Sequence, residues 1–404
     1  MDVVTAFIFI FACKCRGVPR EVFRLRNGAV LVADRFVAST AAVVVAVGVG
    51  SLYEEAGKRG VTHLLEHMLF RLPGFDVDEA VESLGGTNNA YTQRDALFIA
   101  FEGISESAAG LAELAYRLYS NEKYAEEDLK KEKDAVLSEL RQTREDPSER
   151  AGELALRALF GDSDWGAPVG GTPETVEELT LADLLEHKRA WFTPGNTVVV
   201  LSGGFGKDAV DMTANLFGKL EGRAPSKKTP SKGRGPRLIE ERRDVDGVYY
   251  SLAVEVAAGD AAAAHILLYG ASFHLEAGTK SILFNLVRNS GVAYSYYVDY
   301  DAVGDTAYLA VVVESARSLE EARRAVEEAL KPRSPPGYRL RFFEYLWRSS
   351  WRSPLNRALT LAEYVIKGGD PLRLEQAIED AVKAGTAWLE GRLVQRGEAA
   401  VVPG

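Results

Sequence analysis

One pattern is written twice along this 404-residue chain, and the duplication restricts it to folds built from two like halves. In the first copy, residues 22–36 read as two strands about the turn Asn27-Gly28. The Val/Ala run 42–50 has no polar alternation and reads as a strand buried on both faces. Helical patterns follow at 60–70, 76–84, 106–119, 125–146, 149–160, 173–179 and 181–191. A strand at 95–101 is introduced by Asn88-Asn89-Ala90-Tyr91-Thr92, and another closes the copy at 197–202. In the second copy, residues 248–259 echo 42–50, and 261–275 stand where 60–70 stood. Residues 292–300 and 306–314 echo 88–101, 319–330 echo 106–119, and 377–403 repeat the helix-then-strand ending. The repeated unit is roughly 180 residues long.

Neither half alternates strictly between strand and helix. Each therefore reads as an α+β domain, an antiparallel-type sheet with helices packed on one face, paired as a clamshell. Residues 222–236 are rich in Pro, Gly, Ser and Lys without apolar periodicity, which suits a solvated interdomain linker. The expected division is an extension at 1–17, a first domain at 18–221, the linker, and a second domain at 237–404.

The net charge of -10 argues against general nucleic-acid binding, which needs a basic surface. Cys13 and Cys15, the only two cysteines, are too close in sequence for an ordinary structural disulfide, so a cytoplasmic, reducing setting is the default. The apolar run 3–13 is too short to span a bilayer and lacks a basic leader. It leaves membrane association or export open.

The chemistry concentrates in His63-Leu64-Leu65-Glu66-His67. At about 100° per residue, a helix places the two histidines about 40° apart, with Glu66 beside them. Two imidazoles one turn apart can hold Zn²⁺, and a neighbouring carboxylate can accept a proton from an activated water. This is the inverted form of the H-E-x-x-H motif. A third protein ligand is required. The helix over 125–146 offers Glu132 and Glu139, two turns apart and both beside its apolar stripe, and geometry alone does not choose between them. The second copy has no such motif: His265 and His274 would face opposite sides of one helix and read as structural, as does His187.

His63–His67, followed by Glu132-Lys133-Asp134-Ala135-Val136-Leu137-Ser138-Glu139, resembles the pitrilysin/insulinase family of inverted zinc peptidases. The likeness is greatest to the short two-domain branch that includes the mitochondrial processing peptidase, and it covers nearly all the chain from about residue 20. Further segments sit in family order: Asn89-Ala90-Tyr91-Thr92, Pro168–Thr172, Phe192–Asn196 and Arg288 through Gly291-Val292-Ala293-Tyr294-Ser295. The segment 273–281 departs from the Gly/Ser-rich stretch usual in the family.

The resemblance implies a zinc endopeptidase with one Zn²⁺ per chain, held by His63, His67 and Glu139. It makes Glu66 the general base and Glu132 a supporting acid. Arg288 and Tyr294 would reach the substrate across a cleft, and Asn89, Ala90, Tyr91 and Thr92 would lead into the edge strand that binds it. Unstructured peptides or presequence-like segments are the implied substrates, cut inside a closed chamber. The expected assembly is a homodimer, or a heterodimer with a zinc-less relative. A non-catalytic scaffold subunit is the alternative from another functional class.

Overall fold

The computed structural model describes residues 20–404, so the run 3–13, Cys13 and Cys15 lie outside the described residues. Among those described, no helix is long and apolar enough to cross a membrane.

The first half of the chain supplies strands β1 (Arg20–Arg24), β2 (Val30–Arg35), β3 (Thr40–Val47), β4 (Gly86–Thr92), β5 (Leu97–Ile104) and β6 (Thr197–Gly203). They form one sheet in the order β1-β2-β6-β3-β5-β4, antiparallel except for the pair β2/β6. Its helices are α1 (Val61–Leu69), α2 (Val77–Ser83), α3 (Ala108–Ser120), α4 (Glu126–Glu145), α5 (Pro147–Phe160), α6 (Pro173–Glu178), α7 (Leu181–Trp191) and α8 (Lys207–Phe217). The turn between β1 and β2 is closed by Gly28 at φ +98, a backbone region open to glycine and strained for other residues.

The second half supplies β7 (Leu238–Arg243), β8 (Val248–Ala257), β9 (Ser295–Val303), β10 (Thr306–Ala316) and β11 (Leu393–Pro403). Their order, β7-β11-β8-β10-β9, is that of β2-β6-β3-β5-β4, and the one parallel pair, β7/β11, again joins the corresponding strands. The duplication is thus carried in the topology. The helices here are α9 (Ala261–Glu276), α10 (Leu319–Ala329), α11 (Gly337–Ser350), α12 (Pro354–Ile366) and α13 (Leu374–Ala384). Sequence reading foresaw neither α8, β7, α11 nor α12.

The compact units are not contiguous in sequence. One comprises Met1–Leu137 (described from Arg20), Val169–Lys228 and Trp347–Leu374; the other comprises Ser138–Pro168, Thr229–Leu346 and Glu375–Gly404. The first unit therefore contains α12, from the second half of the chain, and the second contains α5, from the first half. The boundary after Leu137 falls inside α4, which is one unbroken helix.

These exchanged helices explain how strands with no polar face are satisfied. In β3, Ala41 through Val47 are all buried, so both faces of the sheet are covered. On one face, Asp34 of β2 accepts hydrogen bonds from Arg357 Nε (2.6 Å) and Nη2 (2.8 Å) of α12. On the other, a Cβ added to Gly103 of β5 would lie 3.1 Å from Leu111 of α3. In the second unit, a Cβ on Gly397 of β11 would strike the backbone of Ala158 and Leu159 in α5. The adjacent Glu398 points the other way, to Arg323 of α10 (2.7 Å).

Residues 222–236 contain no helix or strand, but they are tied down rather than merely solvated. Lys228 Nζ donates to the Glu54 carbonyl (2.9 Å), Lys232 Nζ to Glu255 Oε1 (2.8 Å), and Ser231 N to Asp164 Oδ2 (2.8 Å). The lysines found acceptors in the folded units that composition could not reveal.

Lys188 of α7 is buried. Its Nζ donates to Leu118 O (3.1 Å), Asn121 O (2.6 Å) and Tyr124 Oη (2.8 Å), capping the end of α3. Burial pulls this amine down to about 7. Above that pH the unfolded chain still holds a proton the folded lysine has released, so this group's contribution to stability rises with pH from about 7 toward the usual lysine range near 10.4. In denaturant titrations, wild type minus Lys188→Met should therefore grow more favourable between about pH 6 and about pH 9. A difference that stays constant would mean the ammonium remains charged throughout.

Candidate metal centre

Helix α1 buries Val61, Leu64, Leu65, Met68 and Leu69. Its remaining face presents His63, Glu66 and His67, as 3.6-residue periodicity requires. The two imidazoles sit edge to face, with ring centroids 5.0 Å apart. Burial, and then the neighbouring His67, push His63 down to about 4, which leaves it neutral with a lone pair to donate.

Helix α4 buries Leu129, Glu132 and Val136 and leaves Glu139 exposed. The two glutamates, alike in sequence, thus occupy different surroundings. The donor atoms of His63, His67 and Glu139 all lie within 4.8 Å of one another, near enough for a single ion to gather. This is an N, N, O donor set of the kind that zinc takes. Glu132, 5% exposed, accepts from His67 Nδ1 at 3.0 Å and from Arg71 Nε at 2.6 Å. With Nδ1–H directed at that carboxylate, the other ring nitrogen of His67 is the one whose lone pair can serve a metal. The residues present fit a zinc ion.

Other neighbours of the motif carried no signal in the sequence. Arg71, which holds Glu132, is one of many arginines. His187, read as structural, has Nε2 at 3.0 Å from the Thr62 hydroxyl, one residue before His63. His265 and His274 both lie on α9; His274 Nε2 is 2.7 Å from Val382 O, and His265 packs on the Tyr300 ring at 5.4 Å.

The segment Asn89-Ala90-Tyr91-Thr92 was expected to lead into the edge strand. It lies within it: β4 is the edge strand, paired only with β5 among the described residues, while β5 is interior. The run Gly-Thr-Asn-Asn-Ala-Tyr-Thr lacks the apolar alternation of a half-buried strand, so periodicity marks a strand only at 95–101 and not here. Its last residue, Thr92, donates its hydroxyl to Glu66. Asn89 Nδ2 donates to Tyr91 Oη at 3.0 Å. Beside the motif lies a cavity of about 640 Å³, bordered by Glu66, His67, Phe70, Arg71, Asn89 and Glu132.

In the second unit, Arg288 belongs to a π-helical turn, Phe284–Asn289. Its guanidinium lies 4.3 Å from the centroid of the Tyr294 ring. Tyr294 is 74% exposed, so the pair forms an accessible cation–π stack.

Paired sheet-and-helix domains with an H-x-x-E-H helix and a distal glutamate define a two-domain peptidase-type fold. The family model "Insulinase (Peptidase family M16)" matches residues 29–173, and "Peptidase M16 inactive domain" matches residues 178–331. The chain belongs to the insulinase family, peptidase family M16. An uncharacterized zinc protease of Mycobacterium leprae is 31% identical over 312 residues, 74% of this chain and 69% of that protein. One from Mycobacterium tuberculosis is 32% identical over 285 residues, covering 67% of this chain and 64% of its own length. The crystal structure of a protease from Helicobacter pylori superposes with a TM-score of 0.84 at 18% identity, covering 96% of this chain and all of the other.

Proposed function

We propose that this chain is a zinc endopeptidase acting on unstructured peptides. The observation that carries this reading is the convergence of His63, His67 and Glu139 within 4.8 Å, with Glu66 on the same helical face as the histidines. His63, His67 and Glu139 would hold the ion, one per chain. When bound, zinc supplies the Lewis acidity that activates water and polarises a scissile carbonyl. Glu66 accepts the proton of the attacking water and returns it to the leaving amine. Thr92, hydrogen-bonded to Glu66, aims that carboxylate. Glu132 acts through His67, fixing its ring orientation.

An extended peptide adds to the free edge of β4 by backbone hydrogen bonding, with Asn89 to Thr92 as the receiving strand. That mode needs a substrate whose own backbone is unpaired, so a segment inside a stable fold should resist. Arg288 and Tyr294 are assigned to substrate contact, their exposure leaving both side chains available, and the functional assembly to a homodimer.

The test is cleavage profiling of a peptide library by mass spectrometry, with and without chelator and after zinc is restored. Cleavage lost on chelation and regained with zinc is expected, with Arg288→Ala and Tyr294→Phe slower at unchanged zinc content. Equal rates on a folded protein and its unfolded form would refute the strand-addition reading. No cleavage of any peptide by the zinc-loaded chain would leave the scaffold role instead.

A further inference from the structure

The N-terminus of α1 is capped in an unusual way. Its N-cap is Gly60, at φ +91, with no side chain to accept from the first turn. No ordinary capping residue fits there: a Cβ would lie 2.5 Å from the Gly170 carbonyl oxygen and 2.9 Å from Val176 Cγ2. The first-turn N–H groups of this nine-residue helix would be left without a local partner. Glu54 supplies one from six residues upstream: Oε2 accepts from Gly60 N and Oε1 from Thr62 N, both at 2.8 Å.

Glu54 is 1% exposed, and its burial pushes the carboxyl up to about 7. A carboxylate is costly to bury unless it is well hydrogen-bonded. Its backbone is also fixed, since the Glu54 carbonyl accepts from Lys228. On the other side of Thr62, His187 meets the hydroxyl. Thr62, immediately before His63, is therefore gripped through both its backbone and its side chain.

We propose that Glu54 is a positioning residue of the metal centre, a remote N-cap that sets the start of α1 and hence the direction of His63. The inference rests on the zinc reading above. It adds that the precision of the site is set from outside α1 and α4, with the linker residue Lys228 holding the clasp in place. Glu54→Gln keeps the shape but can accept from only one of the two N–H groups through its single carbonyl oxygen. It turns an amide NH₂ toward the other.

The experiment is chelator competition on the purified full-length chain, read as zinc affinity and, with cobalt in place of zinc, as the visible spectrum. All measurements are made well below the melting temperature of each variant. Glu54→Gln is expected to weaken zinc binding about 10–100-fold, the range for loss of an outer-shell support. It should also shift the cobalt spectrum and lower kcat more than it changes KM. Arg323→Met on α10, which removes the partner of Glu398 and touches none of α1, α4 and α7, should leave metal affinity and spectrum as in wild type. If Glu54→Gln does not fold, Glu54→Asp, one methylene too short to span both N–H groups, should show the same weakening. Wild-type affinity and spectrum in a folded Glu54 variant would overturn the proposal while leaving the zinc reading intact. A wild-type chain that binds no zinc would overturn both.

Discussion

Glu66→Gln should reduce peptide cleavage about 10²–10⁴-fold, the usual contribution of a positioned general base, while the chain keeps its zinc. The amide is isosteric and still accepts the Thr92 hydroxyl through its oxygen, but it cannot take a proton from water. Glu139→Gln should behave in the opposite order: zinc is lost first, and activity falls because the site is empty. Glu139 is exposed and belongs to the only group of three His, Cys, Asp or Glu donors found among the described residues, so no neighbouring carboxylate in that group replaces it. Elemental analysis alongside turnover separates the two. Metal lost from Glu66→Gln and retained in Glu139→Gln would show the roles to be reversed.

Arg357→Ala should destabilise the first unit by up to about 3–5 kcal/mol, the cost of breaking a buried ion pair, with Arg20 left as the one remaining cation on Asp34. Asp34 is 1% exposed and receives two hydrogen bonds from Arg357, one from Arg20 Nε (3.1 Å) and one from Ser202 Oγ (3.3 Å). The Arg357 guanidinium also lies over the Phe36 ring at 4.1 Å. A second pair, Lys367 with Asp95 at 2.9 Å, fastens the far end of α12. Denaturant unfolding should show the loss. A paired Asp34→Leu, Arg357→Leu variant should recover only part of it, because it removes both of these charges but leaves the buried Arg20 guanidinium, 3.1 Å from Asp34 in the wild type, without its carboxylate. Loss below about 1 kcal/mol in the single variant would place the pair with ordinary exposed salt bridges.

Much of the candidate site could be read directly. The spacing of His63, Glu66 and His67 defines a helical face whatever surrounds it, since 3.6-residue geometry is local. The outcome for Glu132 and Glu139 was not local. Both flank the stripe of Leu129 and Val136, and only packing buries one against His67 and Arg71 while leaving the other beside the histidines. The resemblance to the peptidase family picked Glu139 as the ligand, and helical periodicity by itself did not choose. Asn89 to Thr92 show the converse: a strand stabilised by one neighbour needs little β-propensity of its own, so an edge strand can escape a search for apolar alternation.

By itself the sequence determined the duplication, the strand cores such as 42–47, the turn at Gly28 and the histidine helix. Each depends on periodicity or on one residue's backbone freedom. The tertiary structure alone decided which helix covers which sheet. Continuous apolar strands demand cover on both faces, but any amphipathic helix meets that demand, and the choice of α12 for one unit and α5 for the other turns on partners hundreds of residues apart, Arg357 with Asp34 among them. The clasp of Glu54 on α1 belongs to the same category. Nothing distinguishes Glu54 from Glu55 in the sequence; a left-handed Gly60 pressed against the Gly170 carbonyl makes the first of them necessary.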